Sequence, residues 1–319
     1  MVQLVKDITD LNNLDMTKPF LKWVGGKTQI IKDVLGEFPI QMDNYHEIFL
    51  GGGSVLFGLL TLQKEGIITI KEKIYAYDYN KPLIYVYKNI QKTPKNFLKI
   101  IIKIINEYYM IEGDEINRKP TTIEEALTSQ ESYFYWIRSK YNKMTDDEKI
   151  SLLGSAYFVF MNKTCFRGVF RLGKIKKDFN VPFGHYTNPT IIDKIHIKYI
   201  SKLIKDVEFI NISFEDSLKT IRQNDYLYND PPYVPLNATS FVGYTSDGFD
   251  LKLHEKLFIM LHNLKKQNIN WMMSNSNTSL VLNSFNDKKI YSIKKILCRR
   301  AINSKNPEST VNEVIIKSY

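Results

Sequence analysis

The chain has 319 residues and a formal net charge of +10 at pH 7, and 44% of its residues are hydrophobic. This length and apolar content predict one large or two modest globular domains and exclude a disordered chain. The positive charge favours a polyanionic partner. Cys165 and Cys298 show neither metal-ligand spacing nor a disulfide framework, and no apolar stretch is long enough to span a bilayer. With no hydrophobic signal core in residues 1–16, we expect a soluble intracellular protein of the cytoplasm.

Strand-like and helix-like runs alternate near the start of the chain. Residues 45–50 predict a strand, 54–62 a helix, and 74–77 a second strand that ends at Asp78. This order of strand, glycine turn, helix, strand and acid opens a βαβ unit.

The middle of the chain has a different pattern. Helical periodicity near 95–109, 123–142 and 150–161 leads into a basic segment. The alternation resumes near residue 190, with strands predicted at 207–210, 225–228, 270–274 and 313–317 and a helix at 251–266. We therefore predict an α/β domain, made of residues 1–82 and 190–319, that is split by a mainly helical insertion at 83–189.

The most informative motif is Asn229-Asp230-Pro231-Pro232-Tyr233, directly after the predicted strand 225–228. Asp230 and the Pro231 carbonyl can each accept one N–H of an exocyclic amine, and Tyr233 can lie against the ring that carries it. The two prolines, Pro231 and Pro232, make the turn stiff. Such a site suits methyl transfer to an adenine or cytosine amino group held outside the duplex. The alternative is an ordinary acidic proline turn at a strand end.

A glycine turn at Phe49–Ser54 and Asp78 together favour a nucleoside cofactor. Gly51 and Gly53 permit positive φ and close approach of a ligand to the backbone. Leu56 replaces the third glycine of the dinucleotide fingerprint, so no pyrophosphate is expected. Asp78, at the end of the next strand, is placed to bind ribose hydroxyls, although it could instead cap a helix.

Gly26-Lys27-Thr28 is not a P-loop, because Leu21 stands where the first glycine is required and no strand precedes it. Trp23 could pack on a cofactor or simply in the core. Lys27 could pair with a carboxylate, such as that of a methionine moiety.

The segment Asn162–Lys177 contains six basic residues and no acid, with Phe166 and Phe170 interleaved. Arginine can read guanine edges, lysine can neutralise phosphate, and an aromatic ring can open a base step. A solvated loop is the alternative, and it is the stronger one for a second basic run at Lys294–Lys305. The polar segment Ser240–Asp250 could close over a bound base, and Asn275 could help to shape the pocket.

These motifs, in this order, resemble the Dam-type adenine-N6 DNA methyltransferases, the alpha class of amino-methyltransferases. The similarity covers nearly the whole chain. Besides the motifs above, it includes Phe20–Lys27, Phe179–Gly184 and Ser274-Asn275-Ser276. The resemblance implies a Rossmann-like, seven-stranded methyltransferase sheet with an inserted, mainly helical target-recognition domain. It also implies that S-adenosylmethionine is the cofactor and that no metal is required.

The resemblance further implies roles for individual residues. The catalytic turn is Asp230, Pro231, Pro232 and Tyr233. The residues expected to bind the cofactor are Trp23, Lys27, Gly51, Gly53, Asp78, Phe214 and Asp230. The residues expected to contact DNA are Phe166, Arg167, Arg171 and Tyr186.

We therefore predict transfer of a methyl group from S-adenosylmethionine to a flipped adenine in a short duplex sequence. Arg167-Gly168 stands where members that modify GATC usually have Asn-Gly, and His185 where they often have Arg. The target thus remains open between GATC, CATG and another palindrome. Restriction protection beside a cognate endonuclease, mismatch marking and viral genome modification all fit. Cytosine-N4 methylation, modification of RNA or a glutamine amide, and a silent DNA-binding regulator are the rivals.

Overall fold

The computed structural model of the chain describes residues 2–235, 249–299 and 310–319, with the backbone alone at 299, 310 and 311. The chain divides into two compact units. The first unit comprises Met1–Lys18, Lys27–Tyr79 and Asp206–Tyr319, and the second comprises Pro19–Gly26 and Asn80–Lys205. The second unit thus also takes in residues 19–26 and 190–205, which the sequence analysis placed in the α/β domain. The predicted domain bounds stay a prediction. The assignment of target recognition to 83–189 stays a prediction.

The described strands all belong to the first unit. They are β1 Gln41–Met42, β2 Tyr45–Glu47, β3 Thr69–Ile70, β4 Ile74–Asp78, β5 Val207–Asn211, β6 Tyr226–Asn229, β7 Asn270–Ser276, β8 Ser292–Arg299 and β9 Thr310–Lys317.

Seven of these strands form one sheet in the order β5-β4-β2-β6-β7-β9-β8. The first five are parallel to their neighbours, and β9 is antiparallel to both β7 and β8. The α/β fold class predicted from the sequence is therefore confirmed, with a seven-stranded sheet. Because the carboxyl ends of parallel strands meet at one edge, the residues after β2, β4, β6 and β7 share that edge.

The described helices are α1 Ile31–Gly36, α2 Ser54–Lys64, α3 Lys81–Lys92, α4 Pro94–Tyr109, α5 Ile123–Ala126, α6 Gln130–Lys143, α7 Asp146–Lys149, α8 Leu152–Thr164, α9 Lys194–Leu203, α10 Phe214–Leu218, α11 Leu251–Lys266 and α12 Ser279–Ser284. None of the helices in the described parts of the chain is long and apolar enough to cross a membrane.

Helix α11 has the bounds that its apolar periodicity predicts. The Asp250 side chain caps it by accepting the Leu253 amide at 2.9 Å. Its buried face carries Leu257, Leu261 and Leu264, which belong to the apolar core that also contains Trp271 of β7. The helix therefore packs on the face of the sheet to which Trp271 contributes its side chain.

The second unit is mainly helical among its described residues. The predicted helix at 123–142 is two helices, α5 and α6. The break lies at Ser129, whose hydroxyl accepts the Ser132 amide at 3.2 Å and so caps a new helix. After α8, two segments pair through bridges between Cys165 and Phe183 and between Leu172 and Phe179. We call the paired residues 165–183 the basic hairpin.

Candidate active site and nucleic-acid surface

An ion pair fixes the acid of the Asp-Pro-Pro-Tyr turn. Lys27 Nζ lies 2.7 Å from Asp230 Oδ2, and the Lys27 side chain is only 3% exposed. The Lys27 amide donates to Ser54 Oγ at 3.0 Å, which ties the lysine to the first residue of α2. The carboxylate that Lys27 contacts here is thus that of Asp230. Its contact with a cofactor carboxylate stays a prediction.

The second oxygen of Asp230 is in a different condition. Asp230 Oδ1 is buried and has no hydrogen-bond partner among the described residues. Burial raises the pKa of Asp230 to about 6; the charge and hydrogen bond of Lys27, and more weakly the nearby Tyr233 hydroxyl, oppose this rise, whereas the charge of Glu313 adds to it. A buried oxygen without a donor is costly, so it marks a position where a ligand donor would be bound favourably.

Tyr233 is held at both its ring and its backbone end. Its hydroxyl donates to Glu313 Oε2 at 2.7 Å. The next residue, Val234, donates its amide to Asn275 Oδ1 at 3.2 Å and accepts Ser276 Oγ at 2.5 Å through its carbonyl. Asn275 and Ser276 lie in β7. The neighbouring strand therefore fixes the turn. Asn275 contributes to the shape of the pocket by holding the backbone of Val234.

A second carboxyl group, which the sequence analysis did not select, lies close enough to Asp230 for the two to interact electrostatically. Glu47 is the last residue of β2 and is 2% exposed. Burial raises its pKa to about 8; the hydrogen bond that Tyr45 donates at 2.8 Å opposes this, and the charge of Asp230 adds to it. Glu47 is therefore largely protonated at pH 7. The available signal was an acid inside the apolar run 45–50.

The glycine turn and the acid after β4 are joined directly. Gly51 and Gly53 have φ values of 50° and 72°, in the left-handed region that glycine tolerates. The Gly51 amide donates to Asp78 Oδ2 at 2.9 Å. Tyr79 follows with 83% of its surface exposed.

Phe214, expected beside a cofactor adenine, is 8% exposed. Its ring stacks on Phe49, with ring centroids 5.9 Å apart, and also contacts Phe249. These groups suit a nucleoside. The glycine turn lets a ligand approach backbone amides, the carboxylate at the strand end can bind ribose hydroxyls, and the aromatic cluster can contact a base. The individual cofactor contacts stay predictions.

Trp23 belongs to the second unit. Its ring stacks on Phe158 at 6.4 Å and on Phe170 at 6.3 Å between centroids, with interplanar angles of 20° and 18°. The side chain is half-buried. The structure thus supports the packing alternative for Trp23, and its contact with a cofactor stays a prediction.

The basic hairpin carries three of the four residues expected to contact DNA. Phe166 is 48% exposed, and Arg167 has a φ of 56°, a left-handed conformation that is uncommon for a non-glycine residue. Arg171 is exposed, and its Nε donates to Asn180 Oδ1 across the hairpin at 2.7 Å. Tyr186 lies just beyond, with Lys22 Nζ 3.6 Å from its ring centroid.

Asn162 anchors the start of this region, although the sequence analysis gave it no role. Its Oδ1 accepts the Lys22 amide at 2.9 Å, and its Nδ2 donates to the carbonyls of Lys22 at 2.7 Å and Gly168 at 3.0 Å. Since the side chain is buried, these bonds fix Gly168, and with it the adjacent Arg167, to the body of the second unit.

Two sequence predictions fall wholly or partly outside the described residues. The segment Ser240–Asp250 was expected to close over a base, and its residues 240–248 lie outside the described residues. In the run Lys294–Lys305, residues 300–305 lie outside them. Lys294 itself pairs with Glu37 Oε1 at 3.1 Å and Asp33 Oδ1 at 3.7 Å. Its charge is thus engaged within the first unit. Residues 294–299 lie in β8, so this part of the run is not the solvated loop of the alternative.

The comparison with known families decides which class these sites belong to. The D12 class N6 adenine-specific DNA methyltransferases match residues 23–297 of the chain. The chain belongs to this family. It is therefore an enzyme that methylates adenine in DNA, as the sequence motifs predicted.

Individual relatives of this methyltransferase support its assignment to the family. It is 33% identical over 311 residues to the type II methyltransferase M.MjaIII of Methanocaldococcus jannaschii, covering 95% of this chain and 99% of the relative. It is 28% identical to the type II methyltransferase M1.LlaDCHI of Lactococcus lactis subsp. cremoris, with 95% of each chain covered. Against the DNA adenine methylase of Escherichia coli the identity is 26%, with 90% of each chain covered.

The family implies S-adenosylmethionine as the methyl donor. Across residues 2–235, 249–299 and 310–319, no group of three or more His, Cys, Asp or Glu side chains could hold a metal ion.

Proposed function

We propose that this methyltransferase transfers a methyl group from S-adenosylmethionine to N6 of an adenine extruded from a short duplex sequence. Asp230 and the Pro231 carbonyl accept the two N–H groups of the amine, and Tyr233 stacks on the base. The observation that carries this proposal is the buried Asp230 Oδ1, which has no partner among the described residues while Oδ2 is held by Lys27. An incoming amine supplies the missing donor.

The turn is arranged before the substrate binds. Pro231 and Pro232 restrict the backbone, and β7 holds both the amide and the carbonyl of Val234. A base that enters such a pocket meets acceptors that need not reorganise. Alignment of this kind supplies a large part of the catalysis of a direct group transfer.

The charges around the turn suit an acceptor role for Asp230. Lys27 favours the carboxylate form, whereas the protonated Glu47 adds little negative charge at neutral pH. Positive charge develops on N6 as the methyl group arrives, and a carboxylate held in place stabilises it. Asp230 does not have to remove the proton beforehand, since N6 becomes strongly acidic once it is methylated.

When bound, S-adenosylmethionine supplies a methyl group activated by a sulfonium. We assign its nucleoside to the turn at Gly51 and Gly53, with Asp78 toward the ribose and Phe214 toward the adenine. The Gly51–Asp78 bond supports this assignment, since it holds the acid against the turn. Lys27 and Trp23 are the further residues that the family pattern assigns to the cofactor.

We assign DNA binding to the basic hairpin and Tyr186. The exposed ring of Phe166 is free to enter a base step, and Arg171 can read a base edge or contact a phosphate. Arg167 adopts a strained backbone conformation next to the buried Gly168, a feature that concentrates at functional sites.

The biological role that we propose is protection of a short palindrome against a cognate restriction endonuclease. The type II names of two relatives support it. Mismatch marking and viral genome modification, in contrast, require no partner endonuclease that cleaves the unmodified form of the same sequence.

The test is expression in a host without adenine methylation, followed by nucleoside mass spectrometry and sequencing of modified bases. N6-methyladenine within one short sequence is the expected product. N4-methylcytosine, or product found only in RNA or protein, would contradict the proposal. Challenge of the same DNA with endonucleases of known specificity then tests the protective role.

A further inference from the structure

We propose that Glu313 is a positioning residue for the methyl transfer, which fixes the ring of Tyr233 through its hydroxyl. The inference rests on the proposed function, because it takes Tyr233 to be the surface on which the target base stacks. Glu313 lies in β9, far along the chain from the Asp-Pro-Pro-Tyr turn, and it is part of none of the motifs described above.

The sheet brings Glu313 to the turn. In the register of β7 and β9, Glu313 pairs with Ser276. Ser276 holds the carbonyl of Val234, and Glu313 accepts the hydroxyl of the preceding residue, Tyr233, at 2.7 Å. Two adjacent strands therefore hold the two ends of one short segment, β7 its backbone and β9 its ring.

Holding the hydroxyl decides where the ring lies. A tyrosine side chain can adopt several rotamers, and stacking requires one of them. A hydrogen bond to a carboxylate is stronger than one between neutral groups, so it favours the rotamer that reaches Glu313. Lys27 Nζ, 4.8 Å from the ring centroid, contacts the same ring and leaves Tyr233 between a cation and a carboxylate.

Glu313 also acts on the electrostatics of the turn. Its charge raises the pKa of both Asp230 and Tyr233 in the turn. It acts in the same direction on the pKa of Tyr228 in β6 and of Cys298 in β8, which also face Glu313. Removal of this charge should therefore lower the pKa of Asp230 and move the acidic limb of the pH profile to lower pH. A residue that only stabilised the sheet would not produce this change.

The test uses the whole enzyme and a duplex that contains its mapped target sequence. The variants are Glu313→Gln, Glu313→Ala, Tyr233→Phe and the double variant Glu313→Ala with Tyr233→Phe. Glu255→Gln is the matched control, because Glu255 is an exposed acid on α11. The measurements are kcat and KM for methyl transfer, the pH dependence of kcat/KM, and the melting temperature of each variant.

We expect Glu313→Ala and Tyr233→Phe each to lower kcat by about tenfold. At a pH well above the acidic limb, where Asp230 is ionised in every variant, the double variant should be no worse than the more impaired single variant, because both substitutions remove the same bond. Glu313→Gln retains an acceptor and should stay within about threefold of wild type, since a neutral bond is weaker than a charged one. The acidic limb should move to lower pH in both Glu313 variants and not in Glu255→Gln.

Multiplying losses in the double variant, or an unchanged acidic limb in correctly folded Glu313 variants, would overturn the proposal. If Glu313→Ala does not fold, the effect of Glu313→Gln on kcat is measured in wild type and in Tyr233→Phe. We expect Glu313→Gln to lower kcat in wild type and not in Tyr233→Phe. A loss in both backgrounds would overturn the proposal. Failure of the proposed function is separate, since it would appear as wild-type enzyme that makes no N6-methyladenine.

Discussion

Lys27 and Asp230 form an ion pair of 2.7 Å in which the lysine is almost wholly removed from solvent. The pair joins the segment before α1 to the turn after β6. It uses one carboxylate oxygen and leaves the other, Oδ1, for a ligand. Its main consequence is that the ionisation of Asp230 depends on its partner.

Loss of the Lys27 charge should therefore shift the pH profile. Burial raises the pKa of Asp230 to about 6, and Lys27 limits that rise. Since the carboxylate is the acceptor, kcat/KM of the wild type should increase with pH through about 6. Lys27→Gln should move this limb to higher pH, whereas Lys27→Arg, which keeps the charge, should move it less. An acidic limb at the wild-type pH in both variants would show that Lys27 does not control the ionisation of Asp230.

Glu47 should make the enzyme less stable as the pH rises. Its folded pKa of about 8 lies above the unfolded value of 4.5, so the folded state holds a proton that the unfolded state releases. The free energy of unfolding should fall between pH 5 and 8, by at most about 1.4 kcal/mol per pH unit from this group. Glu47→Gln should flatten that dependence in urea unfolding. An equally steep slope in the variant would assign it to other groups.

Glu37 should act in the opposite direction, at acid pH. It is 1% exposed; burial opposes its ionisation, but hydrogen bonds from Lys317, Lys6 and Lys294 lower its pKa to about 2. Its contribution is present above the unfolded value of 4.5 and is lost as the pH falls toward 2.

Glu37→Gln should thus lower the free energy of unfolding at pH 7 by about 3 kcal/mol, because it leaves a nearly buried ammonium, that of Lys317, unpaired. Lys6 is half-exposed, so Lys6→Gln should cost less than about 1 kcal/mol. Equal effects of the two substitutions would mean that burial is not the source of the stabilisation.

Arg171 separates base reading from backbone contact. Arg171→Ala should reduce discrimination between the target sequence and single-base variants of it, by about 1–3 kcal/mol at one position. Lys174→Ala, in the same hairpin, should weaken binding to all sequences alike. Uniform weakening by Arg171→Ala, together with a smaller salt slope, would identify Arg171 as a phosphate contact.

Local sequence patterns predicted much of this architecture. The run before Asp230 is the fully buried strand β6, and the periodic segment 251–266 is α11. They were visible because each signal is contained in consecutive residues. The break of the helix at 123–142 was not found, because Ser129 acts through capping and interrupts no apolar pattern.

Long-range contacts were the part that the sequence could not supply. The selection of Lys27 and Asp230 came from motifs, but their pairing across more than two hundred residues depends on the sheet. Glu47 and Glu313 are single acids in apolar strands, and only the strand register brings each of them to the turn. Asn162 was likewise invisible, since two of its three bonds reach Lys22, 140 residues away in the chain.

The central claim is that Asp230 aligns the target amine without being required for DNA binding. The most direct test compares Asp230→Ala and Asp230→Asn with wild type, by tritium transfer to target duplex and by equilibrium DNA binding at one salt concentration. Transfer should be abolished in Asp230→Ala and strongly reduced in Asp230→Asn, while DNA affinity stays within about threefold, since phosphate contacts dominate binding. A parallel loss of transfer and DNA affinity would contradict the account.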